Sequence, residues 1–465
     1  PPRSTLFPYT TLFRSDDFHS LRKQYPWFSY ESFSYGLEKD AVRMQWHFNL
    51  CDQFHFYPES RIMLRPWLSP PQIPSPEWDN LVFQTGMAEM VSYWKAACPP
   101  LIRVRPFALD AESQTWWKDL YFKGLGEFLF LNGIATDKES LVQFYCEGTH
   151  TPQMFDTPQS EGYLIPLGGG KDSVVTLEML RTTQKTIVPL IMNPRGATLN
   201  TAQAGGFQRD EILEIQRTIH PQLLRLNEAG FLNGHTPFSA VLGFYTLMAA
   251  HVSGIPSIAL SNESSANEST VAGSQINHQY SKSYEYEKIF REYYTQTMSP
   301  GFRYFSFLRP LNELQIASLF ARFTAYHEVF RSCNAGSRED VWCGNCPKCL
   351  FAWIILQPFI GDGRLKKIFG KNLLDDSGLS GYLDELSGHS LHKPFECVGT
   401  LAEVNAALSA LLARTGEPLP LLLQRASSYP LGKEEESLKA LLQEFHTPHF
   451  LNTAETDILT SNLCL

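Results

Sequence analysis

Two short stretches of the chain carry residue types at spacings that chemistry uses. The first is Gly168-Gly169-Gly170-Lys171-Asp172-Ser173. Three consecutive glycines let the backbone take positive φ and turn its N–H groups inward, and at the start of a helix such a nest receives an anion, a phosphate or pyrophosphate. Lys171 adds a point charge, Asp172 suits Mg²⁺ at the phosphates, and Ser173 brings a hydroxyl that can donate or coordinate. The loop is not a Walker A loop, because Asp follows Lys171 and the four-residue spacer is missing, and it fails the dinucleotide G-x-G-x-x-G pattern. The second stretch is Cys343-Gly344-Asn345-Cys346-Pro347-Lys348-Cys349, with Cys333 ten positions upstream. Four thiolates at this spacing can close a tetrahedral Zn²⁺ site; an iron–sulfur cluster uses the same ligands, and spacing alone admits both. Four protein ligands leave no open position, so such a metal holds the loop together and does not activate water.

Between these stretches lie two polar runs, Ser261-Asn262-Glu263-Ser264-Ser265-Ala266-Asn267-Glu268 and Asn277-His278-Gln279-Tyr280-Ser281-Lys282-Ser283-Tyr284-Glu285. The first follows a predicted strand, at the carboxyl edge where doubly wound sheets place ligands. Glu263, Glu268, His278 and Lys282 are therefore candidate proton carriers or contacts to a substrate carboxylate, against the alternative of ordinary solvated loops. Asn233-Gly234-His235-Thr236 precedes a predicted helix and is read as its cap.

The elements that must position these groups alternate. Tyr163–Leu167, Thr186–Met192, Leu223–Leu226 and Ser257–Leu260 read as strands, and Val174–Arg181, Asp210–Ile219 and Phe238–His251 as helices. That alternation implies an α/β fold with a doubly wound parallel sheet. Upstream, Val42, Met44, Trp46, Phe48 and Leu50 alternate with polar residues inside a period-two stretch from Phe28 to Leu64, as in half-buried antiparallel strands, with Gly36 at a turn. A Pro-rich connector, Pro66 to Pro76, leads to helical Leu81–Ala97 and Trp116–Leu131, separated by the strand-like Leu101–Val104. No residue of this α+β half is assigned to chemistry. Leu401–Leu412 and Glu434–Phe445 read as amphipathic helices of a C-terminal cap. The resulting organisation is an extension at residues 1–15, where Thr-Leu-Phe occurs twice and which reads as an artefact or disordered segment; an α+β domain at 16–158; a nucleotide-binding domain with the four-cysteine site at 159–398; and a helical region at 399–465.

Composition narrows the class. The 465 residues, 43% hydrophobic and 13% aromatic, can bury a large core. Lys plus Arg total 39 against 48 Asp plus Glu, a net charge of -9, which disfavours nucleic-acid or anionic-membrane binding and favours a small-molecule partner. Nine cysteines are too sparse for a disulfide scaffold, and their clustering points to metal chemistry in a reducing compartment, the cytoplasm. No stretch approaches the roughly 20 uninterrupted apolar residues of a membrane span.

The glycine loop resembles the pyrophosphate loop, Ser-Gly-Gly-x-Asp-Ser, of the ATP-pyrophosphatase (PP-loop) superfamily, with Gly168 where that superfamily usually has Ser. The cysteines resemble the zinc site of 7-cyano-7-deazaguanine synthases, themselves PP-loop enzymes. Together with Ser92-Tyr93-Trp94-Lys95-Ala96-Ala97, Gly124-Leu125-Gly126-Glu127-Phe128, the Ser261–Glu268 run and Asn277–Lys282, they make residues 25–465 resemble the UDP-N-acetyl-α-D-muramoyl-L-alanyl-L-glutamate epimerases of bacterial peptidoglycan precursor synthesis. The resemblance implies a PP-loop fold, nucleotide binding by Gly168 to Ser173, and a structural Zn²⁺ on Cys333, Cys343, Cys346 and Cys349. It also implies ATP and Mg²⁺ as cofactors, a UDP-linked muramoyl dipeptide as substrate, and inversion of its terminal L-glutamate through an acyl-adenylate with release of AMP and pyrophosphate. Lys171 and Asp172, with Glu263, Glu268, His278 and Lys282, are then the candidate catalytic residues. The alternatives are another adenylating PP-loop enzyme, synthase-like or amide-forming, and, more distantly, a zinc-ribbon module that binds nucleic acid.

Overall fold

The computed structural model describes residues 15–463 except 158, 159, 272, 338, 432 and 433. The extension read at residues 1–15 lies outside the described residues apart from Ser15, which opens the helix Ser15–Gln24. The strands are β1 (Trp27–Leu37), β2 (Ala41–Leu50), β3 (Phe54–Phe56), β4 (Glu59–Met63), β5 (Leu101–Val104), β6 (Gln143–Cys146), β7 (Tyr163–Pro166), β8 (Ile187–Met192), β9 (Leu213–Thr218), β10 (Ser257–Leu260) and β11 (Arg303–Ser306). They form one mixed sheet ordered β6-β5-β1-β2-β4-β9-β8-β7-β10-β11, with β3 on β2. The neighbours within β9-β8-β7-β10-β11 are all parallel, as are β1-β5 and β5-β6, whereas β1-β2, β2-β3, β2-β4 and β4-β9 are antiparallel. The α/β architecture is as expected, and the antiparallel strands of the N-terminal half extend the same sheet.

Alternation in β2 does what its pattern requires: Val42, Met44, Trp46, Phe48 and Leu50 are buried. They pack against the helix Pro76–Trp94, whose start is set by Ser75 as N-cap and Pro76 in the first turn. Gly86 of that helix lies directly against Tyr30 and Trp46, leaving no room for a Cβ. In the parallel strands, adjacent residues feed two cores. Leu164, Leu190 and Ile258 join the core of the N-terminal half, and Ile165, Ile191 and Ala259 join the core under the C-terminal helices. Those C-terminal helices are Leu401–Arg414, Leu421–Ala426, Glu434–Gln443 and Thr453–Leu463.

Four local expectations are corrected. The helix expected over Asp210–Ile219 is a short turn followed by β9, and the strand expected at Leu223–Leu226 lies in the helix Pro221–Glu228. Glu214 disguised the strand: it is a buried acid between Leu213 and Ile215, matched by Arg65 at 2.8 Å and Arg209 at 2.9 Å. Gly36 lies inside β1, and the chain reverses at Glu38–Asp40, where the Glu38 N–H donates to the Ala41 carbonyl at 2.8 Å. The helix read over Trp116–Leu131 breaks at Leu125, between Gly124 and Gly126, into Ala111–Gly124 and Gly126–Leu131.

At the β4–β9 seam, the Arg217 guanidinium grips the Glu89 carboxylate in two hydrogen bonds, Nη2 to Oε2 at 2.7 Å. Tyr245 Oη donates to Glu89 Oε1 at 2.8 Å and also pairs with Ser60 of β4. Burial opposes the Arg217 charge, but Glu89 outweighs it and keeps the guanidinium charged. Removing one partner of such a pair strands a buried charge, so Glu89→Ala should lower the urea unfolding free energy by about 3–5 kcal/mol. The double replacement Glu89→Leu/Arg217→Met should cost clearly less in the same measurement.

Candidate active site

Strand order 9-8-7-10-11 reverses direction of winding between β7 and β10, and ligands of doubly wound sheets lie in the crevice outside the carboxyl ends of such strands. Both sequence-marked segments leave from there: the glycine loop follows β7 and the Ser261–Glu268 run follows β10. Gly169 takes φ +83, and a Cβ there would come within 3.0 Å of the Ala197 carbonyl carbon. Gly168 has open space where a side chain would stand. Gly170 is the N-cap of the helix Lys171–Arg181 and supplies no side-chain cap, so the first N–H groups of that helix face the loop. Ser173 Oγ donates to the Gly170 carbonyl at 2.9 Å, so its hydroxyl braces the loop from within.

Lys171 does not extend into solvent. It is buried and forms ion pairs with Asp172 and with Glu313, the first residue of the helix Glu313–Ala321. Burial opposes its charge, and the two carboxylates outweigh burial and hold it protonated. Burial pushes the Glu313 carboxyl up to about 8; Lys171 opposes this, while Asp172, Glu263 and Glu403 add to it. Glu263 is 4% exposed, and burial raises it too, against the pull of Lys282. Arg309 ties the two polar runs together: Nη1 donates to the Glu263 carbonyl at 2.7 Å, Nη2 donates to the Lys282 carbonyl, and Glu287 balances the guanidinium at 3.0 Å. Asn277 Nδ2 donates to the Ala266 carbonyl at 2.8 Å, closing one run on the other.

His278 lies beside Glu127, with which it pairs through Nδ1, and beside Cys397. Burial works against its charge, but hydrogen bonds to Cys397 and Glu127 prevail and push its pKa up to about 10. His235 Nδ1 is 3.3 Å from the same Glu127 oxygen, its ring 4.6 Å from that of His278; burial, with the nearby charges of His278, Lys95 and Lys282, holds it well below the ordinary histidine range. Lys282 Nζ is 3.3 Å from Cys397 Sγ. Lys171, Asp172, Glu263 and Lys282 therefore form one coupled group, continued by His278, whereas Glu268 is taken by Lys393. The Asn233–Thr236 segment does not cap the following helix, whose N-cap is Pro237. Lys95 instead donates to the Gly234 carbonyl and, at 3.4 Å, to the His235 carbonyl.

Sequence reasoning missed Glu127, His235, Glu313 and Cys397. Glu127 comes from the half assigned no chemistry, and its signal was the Gly-Leu-Gly break that ends one helix and starts another at Gly126.

The four cysteines converge. Cys333–Cys346 and Cys343–Cys349 sulfurs are 3.7 Å apart and Cys346–Cys349 sulfurs 3.5 Å. A tetrahedron with zinc–sulfur bonds of about 2.3 Å has edges of about 3.8 Å, so these sulfurs could hold such an ion. Gly344 takes φ +65 between the ligands, and Cys346 is the N-cap of the helix Pro347–Ile360. Two residues before Cys333, the Arg331 N–H donates to the Gly169 carbonyl at 2.7 Å, joining the cysteine segment to the glycine loop.

Family models match along most of the chain: the MurL N-terminal domain over residues 19–307 and the MurL C-terminal domain over residues 329–428. The chain belongs to the MurL family. The first span contains every strand of the sheet, and the second contains the four cysteines and Cys397. Among curated MurL relatives, the UDP-N-acetyl-alpha-D-muramoyl-L-alanyl-L-glutamate epimerase of Xanthomonas oryzae pv. oryzae is 36% identical over 332 residues, 70% of this chain and 72% of its own. The proteins of the same name from Salinispora tropica and Micromonospora sp. are 37% and 36% identical, each over 72% of its own length and 70% and 69% of this chain. No solved structure matches.

The His278 shift has a definite sign. Its folded pKa of about 10 exceeds the ordinary 6.5, so its contribution to stability is fully present below pH 6.5 and is lost as pH rises toward 10. Chemical denaturation between pH 6 and pH 10 should show the wild-type advantage over His278→Gln shrinking across that window.

Proposed function

We propose that this chain inverts the terminal L-glutamate of UDP-N-acetylmuramoyl-L-alanyl-L-glutamate to D-glutamate in peptidoglycan precursor synthesis, consuming ATP through an acyl-adenylate. The observation that carries this reading is the arrangement at the β7/β10 switch point: the glycine loop stands beside a buried group of lysines and carboxyls, Lys171, Glu313, Glu263 and Lys282, continued by His278. The names of the curated relatives support the substrate and the outcome.

The chemistry explains why both parts are needed. An α-proton beside a free carboxylate is barely acidic, because deprotonation puts a second negative charge on the same group. Adenylation removes the carboxylate charge and lets the resulting enolate delocalise. Gly168 to Ser173 would hold the ATP phosphates in the manner of PP-loop enzymes, with Asp172 holding Mg²⁺. Lys171, fixed by Asp172 and Glu313, keeps positive charge beneath the loop, and Lys282 offers a cation for the developing enolate. Glu263 is a proton carrier beside Lys282, His278 supports the group from Glu127, and Glu268 is less suited because Lys393 occupies it. Water then cleaves the adenylate, giving AMP and the epimerised product with pyrophosphate already released. A Zn²⁺ on Cys333, Cys343, Cys346 and Cys349 would fix the segment that supports the glycine loop. Among the described residues no helix is long and apolar enough to cross a membrane, and the reading places the reaction with a water-soluble nucleotide precursor in a reducing compartment.

Incubation with the UDP-muramoyl dipeptide, ATP and Mg²⁺ in deuterated water tests this directly. D-glutamate carrying α-deuterium, with AMP and pyrophosphate, is the expected product set; AMP formation only with ammonia or a nucleobase acceptor would identify another adenylating enzyme instead. Asp172→Asn should lower kcat by on the order of 10²-fold or more while circular dichroism shows the fold intact. Cys346→Ser should lose bound zinc by elemental analysis and melt at a lower temperature.

A further inference from the structure

Cys397 belongs to no sequence motif, and it lies in the loop before the helix Leu401–Arg414, well beyond the four-cysteine segment. Its side chain is half-buried. Lys282 Nζ stands 3.3 Å from its sulfur, and His278, itself anchored on Glu127, lies close enough in the same polar turn to act on its charge. Lys348, at the start of the helix Pro347–Ile360, adds a third positive group, and Glu396 and Glu263 are the acids nearby. Burial alone would raise the thiol, yet Lys282, Lys348 and His278 overcome it and hold Cys397 well below the ordinary thiol range. An independent feature marks this spot as a place for a ligand. Gln279, 6% exposed, donates through Nε2 to the carbonyl of Val398, the residue after Cys397, at 3.4 Å, and its Oε1 has no partner among the described residues. A buried amide oxygen left unpaired keeps its desolvation cost, which an amide N–H of a bound peptide would recover.

We propose that Cys397, as a thiolate, is the base that removes the α-proton of the activated glutamyl residue, and that Glu263 returns a proton to the opposite face; the proposal rests on the epimerase reading above. The Cα–H bond breaks and an S–H bond forms at Cys397, while the electron pair passes into the acyl group as an enolate. The Glu263 carboxyl then gives its proton to Cα, the enolate electrons form the new C–H bond, and Glu263 is left as carboxylate. Exchange with solvent reprotonates Glu263 and deprotonates Cys397. Lys282, coupled to both groups, balances the negative charge as it moves from sulfur to enolate to carboxylate. His278 is a positioning residue, with Glu127 holding its proton toward the sulfur.

The test uses the full chain carrying Cys397→Ala or Cys397→Ser, assayed two ways with UDP-N-acetylmuramoyl-L-alanyl-L-glutamate. One assay follows substrate-dependent exchange of labelled pyrophosphate into ATP, which needs folding and adenylation only. The other follows α-deuterium uptake and D-glutamate formation in deuterated water. Both variants should keep exchange within about threefold of wild type and lose deuterium uptake and inversion by at least about 10²-fold. Inversion retained within about threefold, or exchange lost in parallel with inversion, overturns the assignment. A wild-type chain that catalyses exchange but never inverts glutamate refutes the epimerase reading itself, and so separates the two failures.

Discussion

The Glu89–Arg217 ion pair is the constraint on which the rest of the architecture depends. It lies where β4 meets β9, and β4 and β9 are the strands that make one sheet of two halves. Neither charge can be left alone in that interior, so the helix Pro76–Trp94 must sit over β9 at one place and in one orientation. Tyr245 and Ser60 complete the network from the helix Phe238–Ser253 and β4. With that helix fixed, Lys95 at its C-terminal end reaches the Gly234 and His235 carbonyls. The N-terminal half is thereby placed to deliver Glu127 to His278, and the crevice becomes a product of both halves.

Within the crevice, positive and negative groups are interleaved. Lys171 stands between Asp172 and Glu313, Lys282 feels Cys397, Glu263 and Asp172, and His278 stands between Glu127 and Cys397. Burying so many ionisable groups contributes little to stability, and perturbed titration clustered in a cleft is the pattern expected where protons move. The network also explains why two groups that burial pushes the same way end in opposite states: burial and nearby cations hold His235 neutral, whereas Cys397 and Glu127 overcome burial and keep His278 charged, though their rings are 4.6 Å apart.

Much of this was legible in the sequence, and the illegible part has physical causes. The loop, its strand and its helix were readable because glycines, a short apolar run and the helix-forming run after them act locally, and β2 was readable because alternation is a local signal. β9 was not, because Glu214 sits where an apolar residue is expected and only Arg65 and Arg209, distant or flanking, make it tolerable there. Among candidate site residues, Lys171, Asp172 and Glu263 came from runs recognisable as adjacent to strand ends, and His278 and Lys282 from a run recognisable as polar. Glu127, His235, Glu313 and Cys397 come from four separate segments whose chemistry exists only through long-range packing, and no spacing rule joins them. Glu268 illustrates the converse: its run was marked as a whole, but the geometry gives that one carboxylate to Lys393.

The hydrogen bond from the Arg331 N–H to the Gly169 carbonyl makes the cysteine segment and the glycine loop thermodynamic neighbours. A metal that orders the first lowers the entropy still to be lost when an anion orders the second. By reciprocity, whatever affinity the ion adds for the anion, the anion adds for the ion. On the proposed reading, an organism short of zinc would meet that shortage as a weaker hold on nucleotide before any loss of the fold, so that supply of a metal far from the reacting carbon would set the throughput of the enzyme.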